Sequence, residues 1–305
     1  MMNVKYVFPL LILFFGVRAA RFPDLDLKLL SAADEDVDDL ILHAIGRTEE
    51  CKTLLEAGAS ISARTEYGEY TPLLLATKNG NIELVQYLTE YGADVNVEVN
   101  GIVASRPLHY AAVRGHTEIV KYLIEYGANV NVKNVFQYTP TMIAAWKAYA
   151  DIVKCLIKNG AEVNDEDENK QTALHWAIIS NGYAKTEIVK YLVSHRANVQ
   201  AENIWQETPL HSAADKGDIE IVKYLVNHGA NVHAVNIWQE TPLHSAASNG
   251  HTETVKFLVE HGANINVKDN SQHTPHYYAN KNGHIDVINY LRGHGTHLNN
   301  HFIYN

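Results

Sequence analysis

The sequence predicts an all-α repeat solenoid of about eight helix-turn-helix units, each carrying a β-hairpin finger. Three observations carry that prediction. The segment 203–214 (NIWQETPLHSAA) recurs unchanged at 236–247, thirty-three residues on. The same Thr-Pro-Leu position returns at Thr71, Arg106, Thr139, Thr172, Thr208, Thr241 and Thr274, in steps of 35, 33, 33, 36, 33 and 33 residues. A second pattern follows these starts, as in GHTEIVKYLIEYGANVN from Gly115 and GDIEIVKYLVNHGANVH from Gly217. Self-similarity at a period of this length marks a stack of supersecondary units that bury one another's apolar faces.

Each element within a unit follows from local chemistry. Thr208 suits an N-cap, because its hydroxyl accepts a backbone N–H, and Pro209 suits the first helical position, where a missing donor costs nothing. The short helix through Leu210, Ala213 and Ala214 stops at Gly217. A second helix starts near Asp218, where an acid suits the helix dipole. Its Ile221, Val222, Leu225 and Val226 have the spacing of a buried stripe. Gly229 closes it as a left-handed C-cap, and residues 230–232 lead into the finger. The units run about 38–68, 69–103, 104–136, 137–169, 170–205, 206–238, 239–271 and 272–305. No room remains for a second domain.

The opening residues are of another kind. Lys5 precedes a twelve-residue apolar run over 6–17 (YVFPLLILFFGV), closed by Arg18 and small residues. That is the shape of a signal peptide over 1–20, cleaved near Ala19 or Ala20. A membrane anchor needs about 20 apolar residues; this run is shorter and contains Pro9. A secreted protein is the expectation, with a membrane-anchored one as the alternative. An acidic lead-in fills 21–37.

The TPLHxAA start, the Gly-His/Asp-x-Glu-Ile-Val-Lys-x-Leu core and the Gly-Ala-Asn-Val-Asn exit resemble the ankyrin repeat over nearly the whole mature chain. The resemblance implies L-shaped units in a curved array whose concave face binds protein partners. It also implies a structural hydrogen-bonding role for His109, His175, His211 and His244. It does not specify the partner. Ankyrin-type stacking also separates Cys51 in the first unit from Cys155 in the fourth by roughly 25–30 Å, at about 8–10 Å per helix layer. A disulfide needs Cα atoms within about 7 Å. Both cysteines therefore read as small hydrophobes.

Framework residues explain the fold, so departures from the pattern are where function is sought. The residue after TPLH, expected on the concave face, reads Leu75, Tyr110, Ile143, Trp176, Ser212, Ser245 and Tyr278. Tyr110, Trp176 and Tyr278 are candidate anchors, because aromatic residues dominate interface hot spots; packing on one another or on the fingers is the alternative. The fingers end in Asn134-Val135-Phe136-Gln137, Asn203-Ile204-Trp205-Gln206 and Asn236-Ile237-Trp238-Gln239. Phe136, Trp205 and Trp238 are candidate contact tips, spaced to form a ladder, or a mark of recent duplication. Gln stands where such fingers usually carry Gly, which puts the turn geometry in question. In the fourth unit Trp146-Lys147-Ala148-Tyr149 replaces a Gly-based turn, and the fifth carries three extra residues near 180–183. Units four and five thus form the irregular patch.

Charge and motifs exclude other classes. A net charge of −10 opposes nucleic-acid binding, which needs a basic face, and favours a basic protein partner. Seventeen histidines invite a metal reading, but those of the TPLH position and the inter-helix turns have structural places. The tail His294, His297 and His301 has helical metal spacing weakened by Gly295, and the acids at 165–168 lack a calcium-loop pattern. No nucleophile elbow, phosphate loop or His-Glu-x-x-His occurs. The expectation is a monomeric, secreted protein-binding scaffold of effector or venom type, with no enzyme activity, cofactor or metal. The alternatives are a latrotoxin-like membrane-active toxin and a membrane-anchored intracellular adaptor.

Overall fold

Among the described residues, fourteen helices form seven helix–turn–helix pairs, five of them opened by a Thr-Pro start. The computed structural model describes residues 48–49, 51–52, 55–56, 59–64, 70–99 and 106–295. The expected signal peptide over 1–20, the lead-in over 21–37, His297 and His301 lie outside the described residues. The pairs are α1 (Pro72–Lys78) with α2 (Ile82–Glu90), α3 (Pro107–Arg114) with α4 (Thr117–Glu125), and α5 (Pro140–Trp146) with α6 (Ala150–Lys158). Next come α7 (Ala173–Ile179) with α8 (Lys185–Ser194) and α9 (Pro209–Lys216) with α10 (Ile219–Asn227). Last are α11 (Pro242–Ser248) with α12 (Thr252–Glu260) and α13 (Pro275–Lys281) with α14 (Ile285–Gly295). The chain divides into two compact blocks, Met1–Val135 and Phe136–Asn305, so that α1–α4 belong to the first and α5–α14 to the second.

The sequence signals act where they were placed. Proline opens six of the seven first helices, and Gly217 ends α9 at φ +67°. Asp218 is the N-cap residue of α10. Leu210, Ala213, Ala214, Ile221, Val222 and Leu225 are at most 1 % exposed, whereas Val226 is only half-buried. Within the second block each first helix packs on the next, α5 on α7, α7 on α9, α9 on α11 and α11 on α13. The small Ala213–Ala214 and Ala246–Ala247 pairs are what permit that close approach; all four are fully buried.

The fingers contain no β-strand among the described residues. The fully described fingers of the second block close as tight turns instead of the expected hairpin ladder. In the finger 203–207, Asn203 N–H donates to Glu207 O at 3.1 Å and Gln206 N–H to Asn203 O at 2.8 Å. The Asn203 carboxamide oxygen accepts from Trp205 N and Glu207 N, both at 2.9 Å. Gln206 takes φ +59°, and Gln137, Gln239 and Gln272 take +61°, +61° and +64°. Glutamine thus occupies the left-handed region that glycine would fill freely, at about 1–2 kcal/mol each. The two amides gathered by one side-chain oxygen hold the turn in place of that freedom. Neighbouring fingers join by single backbone bonds, Ile204 N–H to Asn169 O, Ile237 N–H to Trp205 O and Asn270 N–H to Trp238 O, at 2.9–3.0 Å.

At the opposite end, the turn between helices is a lock between repeats. A Cβ added to Gly217 would sit 2.3 Å from the ring of His251, and one added to Gly250 would sit 2.5 Å from His284. Each histidine donates from Nε2 to the preceding repeat, His251 to Asp215 O at 2.8 Å and His284 to Ser248 O at 2.9 Å. The fourth repeat breaks this rule. Ala148 stands in the glycine position with φ +58°, so a Cβ is already present where the next repeat's histidine would lie. The three-residue insertion brings Gly182 there: a Cβ on Gly182 would meet the Ala148 Cβ at 2.2 Å. The two oddities noted in the sequence are one compensated pair.

Gly182→Ala will therefore destabilise the chain by about 1–3 kcal/mol, the usual range for overpacking. Adding Ala148→Gly will restore most of that loss. Urea unfolding of the two singles and the double checks this; additive effects would contradict it.

Candidate partner-binding surface

The side chains available for binding are those left over from holding the repeats together. His175, His211 and His244 belong to the holding set. Each sits at the third position of a first helix and closes a reciprocal cap. Thr208 accepts from the His211 backbone amide, while Thr208 N–H donates to His211 Nδ1 at 3.1 Å. Thr172 with His175 and Thr241 with His244 repeat it. With Nδ1 accepting, the proton lies on Nε2, which donates to the next finger: His175 to Glu207 O at 3.3 Å, His211 to Glu240 O at 3.1 Å and His244 to His273 O at 3.3 Å. All three are no more than 2 % exposed. Burial lowers their pKa values, to about 4 for His175 and His211. The structural role expected for these histidines is observed; His109, also buried, lacks the threonine because Arg106 stands there without a side-chain cap.

The column after TPLH is not one exposed groove. Leu75 and Ile143 are buried, at 0 % and 7 % exposed, and complete the core instead of facing a partner. Tyr110, Trp176, Ser212, Ser245 and Tyr278 are half-buried. Tyr110 packs on Tyr70 in the first block, at 6.0 Å between ring centres. In the second block Trp176 and Tyr278 stand apart, with Ser212 and Ser245 between them in the column. Each reaches back to the acid of its own finger. Trp176 Nε1–H donates to Asp167 Oδ2 at 3.0 Å, and Tyr278 O–H to Asp269 Oδ2 at 2.6 Å. Where the column is serine the finger carries Asn203 or Asn236, whose amides turn to Glu207 and Glu240 instead. A buried carboxylate and its aromatic donor therefore come as a pair. Burial acts to raise the Asp269 pKa, but the Tyr278 hydroxyl and two backbone amides outweigh it and hold the carboxyl below its ordinary value. The same hydrogen bond, ahead of burial, pushes the Tyr278 phenol up.

Trp176 also organises a row of rings that the sequence pattern did not foretell. Phe136 lies 5.8 Å from Tyr138, Tyr138 lies 5.3 Å edge-on from Trp176, and Trp176 lies 6.2 Å edge-on from Trp146. The Lys147 ammonium sits over the Trp146 ring at 4.0 Å. The row runs from the tip of one finger to the inter-helix turn, and its ends are its most open parts: Phe136 is 37 % and Trp146 45 % exposed. Tyr138 precedes the N-cap Thr139, a position whose occupant varies among repeats, so periodicity gave no reason to single it out. Its phenol is raised by burial first and then by Asp167 and Glu168, which places two carboxylates beside the row.

The finger tips form an exposed apolar cluster in the second block. Ile204, Trp205, Ile237 and Trp238 are 46 %, 36 %, 41 % and 48 % exposed. They are adjacent through the Ile237 N–H to Trp205 O bond. The expected ladder with Phe136 is interrupted, because Asn169 occupies the tip between Phe136 and Trp205. No three histidine, cysteine, aspartate or glutamate side chains gather to hold a metal among the described residues. No described helix is long and apolar enough to cross a membrane.

Stacked helical pairs with short linking fingers define a repeat scaffold. The family model for ankyrin repeats, three copies long, matches residues 17–99, 98–167, 141–236 and 233–301, and the chain belongs to the ankyrin-repeat family. Ankyrin repeats mediate protein–protein interaction, and the proteins built from them are generally non-enzymatic scaffolds. A comparison with curated proteins finds none that matches this chain.

The buried caps make a pH dependence. His175 and His211 titrate near 6.5 when unfolded and at about 4 when folded. Between those values the unfolded chain binds more protons, so stability rises with pH across the window. It is complete above about 6.5 and falls as the pH drops towards 4, by about 2 kcal/mol per histidine at pH 5. Urea midpoints at pH 7 and pH 5 test this, and the slope will flatten in the His175→Asn/His211→Asn variant. A flat wild-type profile would contradict it.

Proposed function

We propose that the protein is a secreted scaffold, of effector or venom type, that holds a basic protein partner on the finger side of its second block. The exposed Ile204, Trp205, Ile237 and Trp238 carry this reading. They ride on turns held by Asn203 and Asn236, so they are presented rigidly and lose little freedom on binding. Tight turns do not need large apolar tips, and exposed apolar clusters of this kind mark interaction sites. Phe136 at its own finger tip, Trp176 and Tyr278 on first helices, and Tyr110 in the first block are the further candidate contacts. The net charge of −10 favours a basic partner and opposes nucleic acid. The apolar run over 6–17 supports export with cleavage near Ala19 or Ala20. The protein acts as a monomer and needs no cofactor or metal.

N-terminal sequencing of the protein recovered from culture medium of producing cells will start at Ala20 or Arg21. Recovery only from the lysate, with residues 1–19 attached, overturns secretion and favours the anchored adaptor. For the surface, Trp205→Ala and Trp238→Ala will weaken partner capture at least about tenfold, as central aromatic anchors do. Their urea midpoints will stay within about 0.5 kcal/mol of wild type. Unchanged capture in both rejects the tips. Trp176→Ala is the less clean probe, because it also strips the buried Asp167 of a donor.

A further inference from the structure

We propose that Asn181 is a site of spontaneous chemical modification, where an imide closes onto Gly182 and reopens to an isoaspartyl link that loosens the junction between the fourth and fifth repeats. Asn181 lies in the insertion of the fifth repeat, a segment to which the binding surface gives no role.

The chemistry needs only water. Asparagine before glycine favours it, because a glycine amide has no side chain to obstruct its approach to the neighbouring carboxamide. The Gly182 nitrogen, once it has lost its proton to water, attacks Asn181 Cγ. A new N–C bond forms, the Cγ–Nδ2 bond breaks and ammonia leaves. Water then opens the five-membered imide at either carbonyl. Breaking the bond to Cγ leaves an aspartyl residue. Breaking the bond to the main-chain carbonyl leaves an isoaspartyl residue, whose chain runs on through Cβ and Cγ and is longer by one carbon.

The same dipeptide stands at 79–80, 100–101, 159–160, 181–182, 249–250 and 282–283, so the protein holds its own controls. The pair 100–101 lies outside the described residues. Asn79, Asn159, Asn249 and Asn282 are helix C-caps with ψ between −6° and 22°. At ψ near zero the next nitrogen eclipses the residue's own nitrogen and points away from Cβ, so no ring closes until the cap opens. Three of these carboxamides are also tied. Asn159 Nδ2 donates to Cys155 O at 2.8 Å, Asn249 Nδ2 to Asp215 Oδ1 at 2.9 Å and Asn282 Nδ2 to Ser248 O at 2.7 Å. Asn181 is held in neither way. It is exposed, stands between α7 and α8 and outside both, and its carboxamide makes no hydrogen bond among the described residues. The Gly182 amide donates to Ser180 Oγ at 3.2 Å, a side-chain rotor that releases it without unwinding a helix. Tyr183, next along, is fully exposed, so water reaches the loop for the second step.

The product matters because Gly182 has no slack. A Cβ there would meet the Ala148 Cβ at 2.2 Å, and its carbonyl accepts Lys185 N–H at 3.2 Å as α8 begins. An extra main-chain carbon just before Gly182 cannot be absorbed with both kept. The strain falls on the contact between repeats, and in a stack each repeat is held only by its neighbours. An aspartyl residue keeps the chain length and, at an exposed position, costs little.

The test is incubation of the full chain at neutral and mildly alkaline pH, followed by peptide mapping with mass spectrometry and isoaspartate-specific methylation. Conversion at Asn181 will run at least about tenfold faster than at the four capped asparagines, which must first open locally, and will accelerate as pH rises. Asn181→Gln, which has a larger ring to close, will stay unconverted at that position. No conversion at Asn181, or a cap converting as fast, overturns the site. The isoaspartyl fraction, separated by chromatography, will unfold at lower urea than fresh protein, whereas Asn181→Asp will match fresh protein. In Ala148→Gly the isoaspartyl fraction will lose less. An isoaspartyl fraction as stable as fresh protein overturns the loosened junction.

Discussion

The fold of the second block depends on one side chain used twice in each of three repeats. His175, His211 and His244 cap their own helix through Nδ1 and tie it to the next finger through Nε2. A neutral imidazole is the one side chain here that accepts at one end and donates at the other across a fixed width. Burial keeps it neutral, and neutrality preserves the acceptor at Nδ1. Helix start, repeat spacing and finger position are therefore set together. In a stack where each repeat touches only its neighbours, such a tie is how stability passes along the chain.

The binding surface follows from what those ties leave free. Tips such as Trp205 and Trp238 emerge because Asn203 and Asn236 gather the turn amides beneath them. The strained glutamines beside them show that the turn, not the residue, is what the fingers retain. Where the finger acid is Asp167 or Asp269, an aromatic donor is drawn in to satisfy it. One consequence is structural, a buried carboxylate with all its bonds met. The other is functional: Trp176 is held at a fixed angle, and the row from Phe136 to Trp146 forms around it. The irregular fourth and fifth repeats supply both the Trp146 end and the Ala148–Gly182 accommodation that keeps the stack in register.

Most of the fold was legible because period and caps are local signals. Thr-Pro starts and glycine stops placed α9 and α10 to within a residue. The finger geometry was less legible: glutamine in the left-handed region reads as a broken turn until the Asn203 bonds are seen. The site was legible in part. Exposure of Trp205 and Trp238 followed from their place at the tips, whereas Leu75 and Ile143 shared a column with Trp176 and turned out buried. Column position sets direction, but side-chain length and the neighbouring finger decide whether a residue reaches solvent. Tyr138 belongs to the row through contacts between repeats, which spacing within one repeat does not encode.

Native-state hydrogen exchange of His211→Ala tests most directly whether the buried histidine carries coupling between repeats. The account predicts faster exchange at the Thr208 amide, which loses its acceptor, and at amides of the 236–240 finger, which loses its tie. Amides of α14, two repeats further on, will keep their protection. Acceleration confined to residues 208–216, with the 236–240 finger unchanged, would contradict the account.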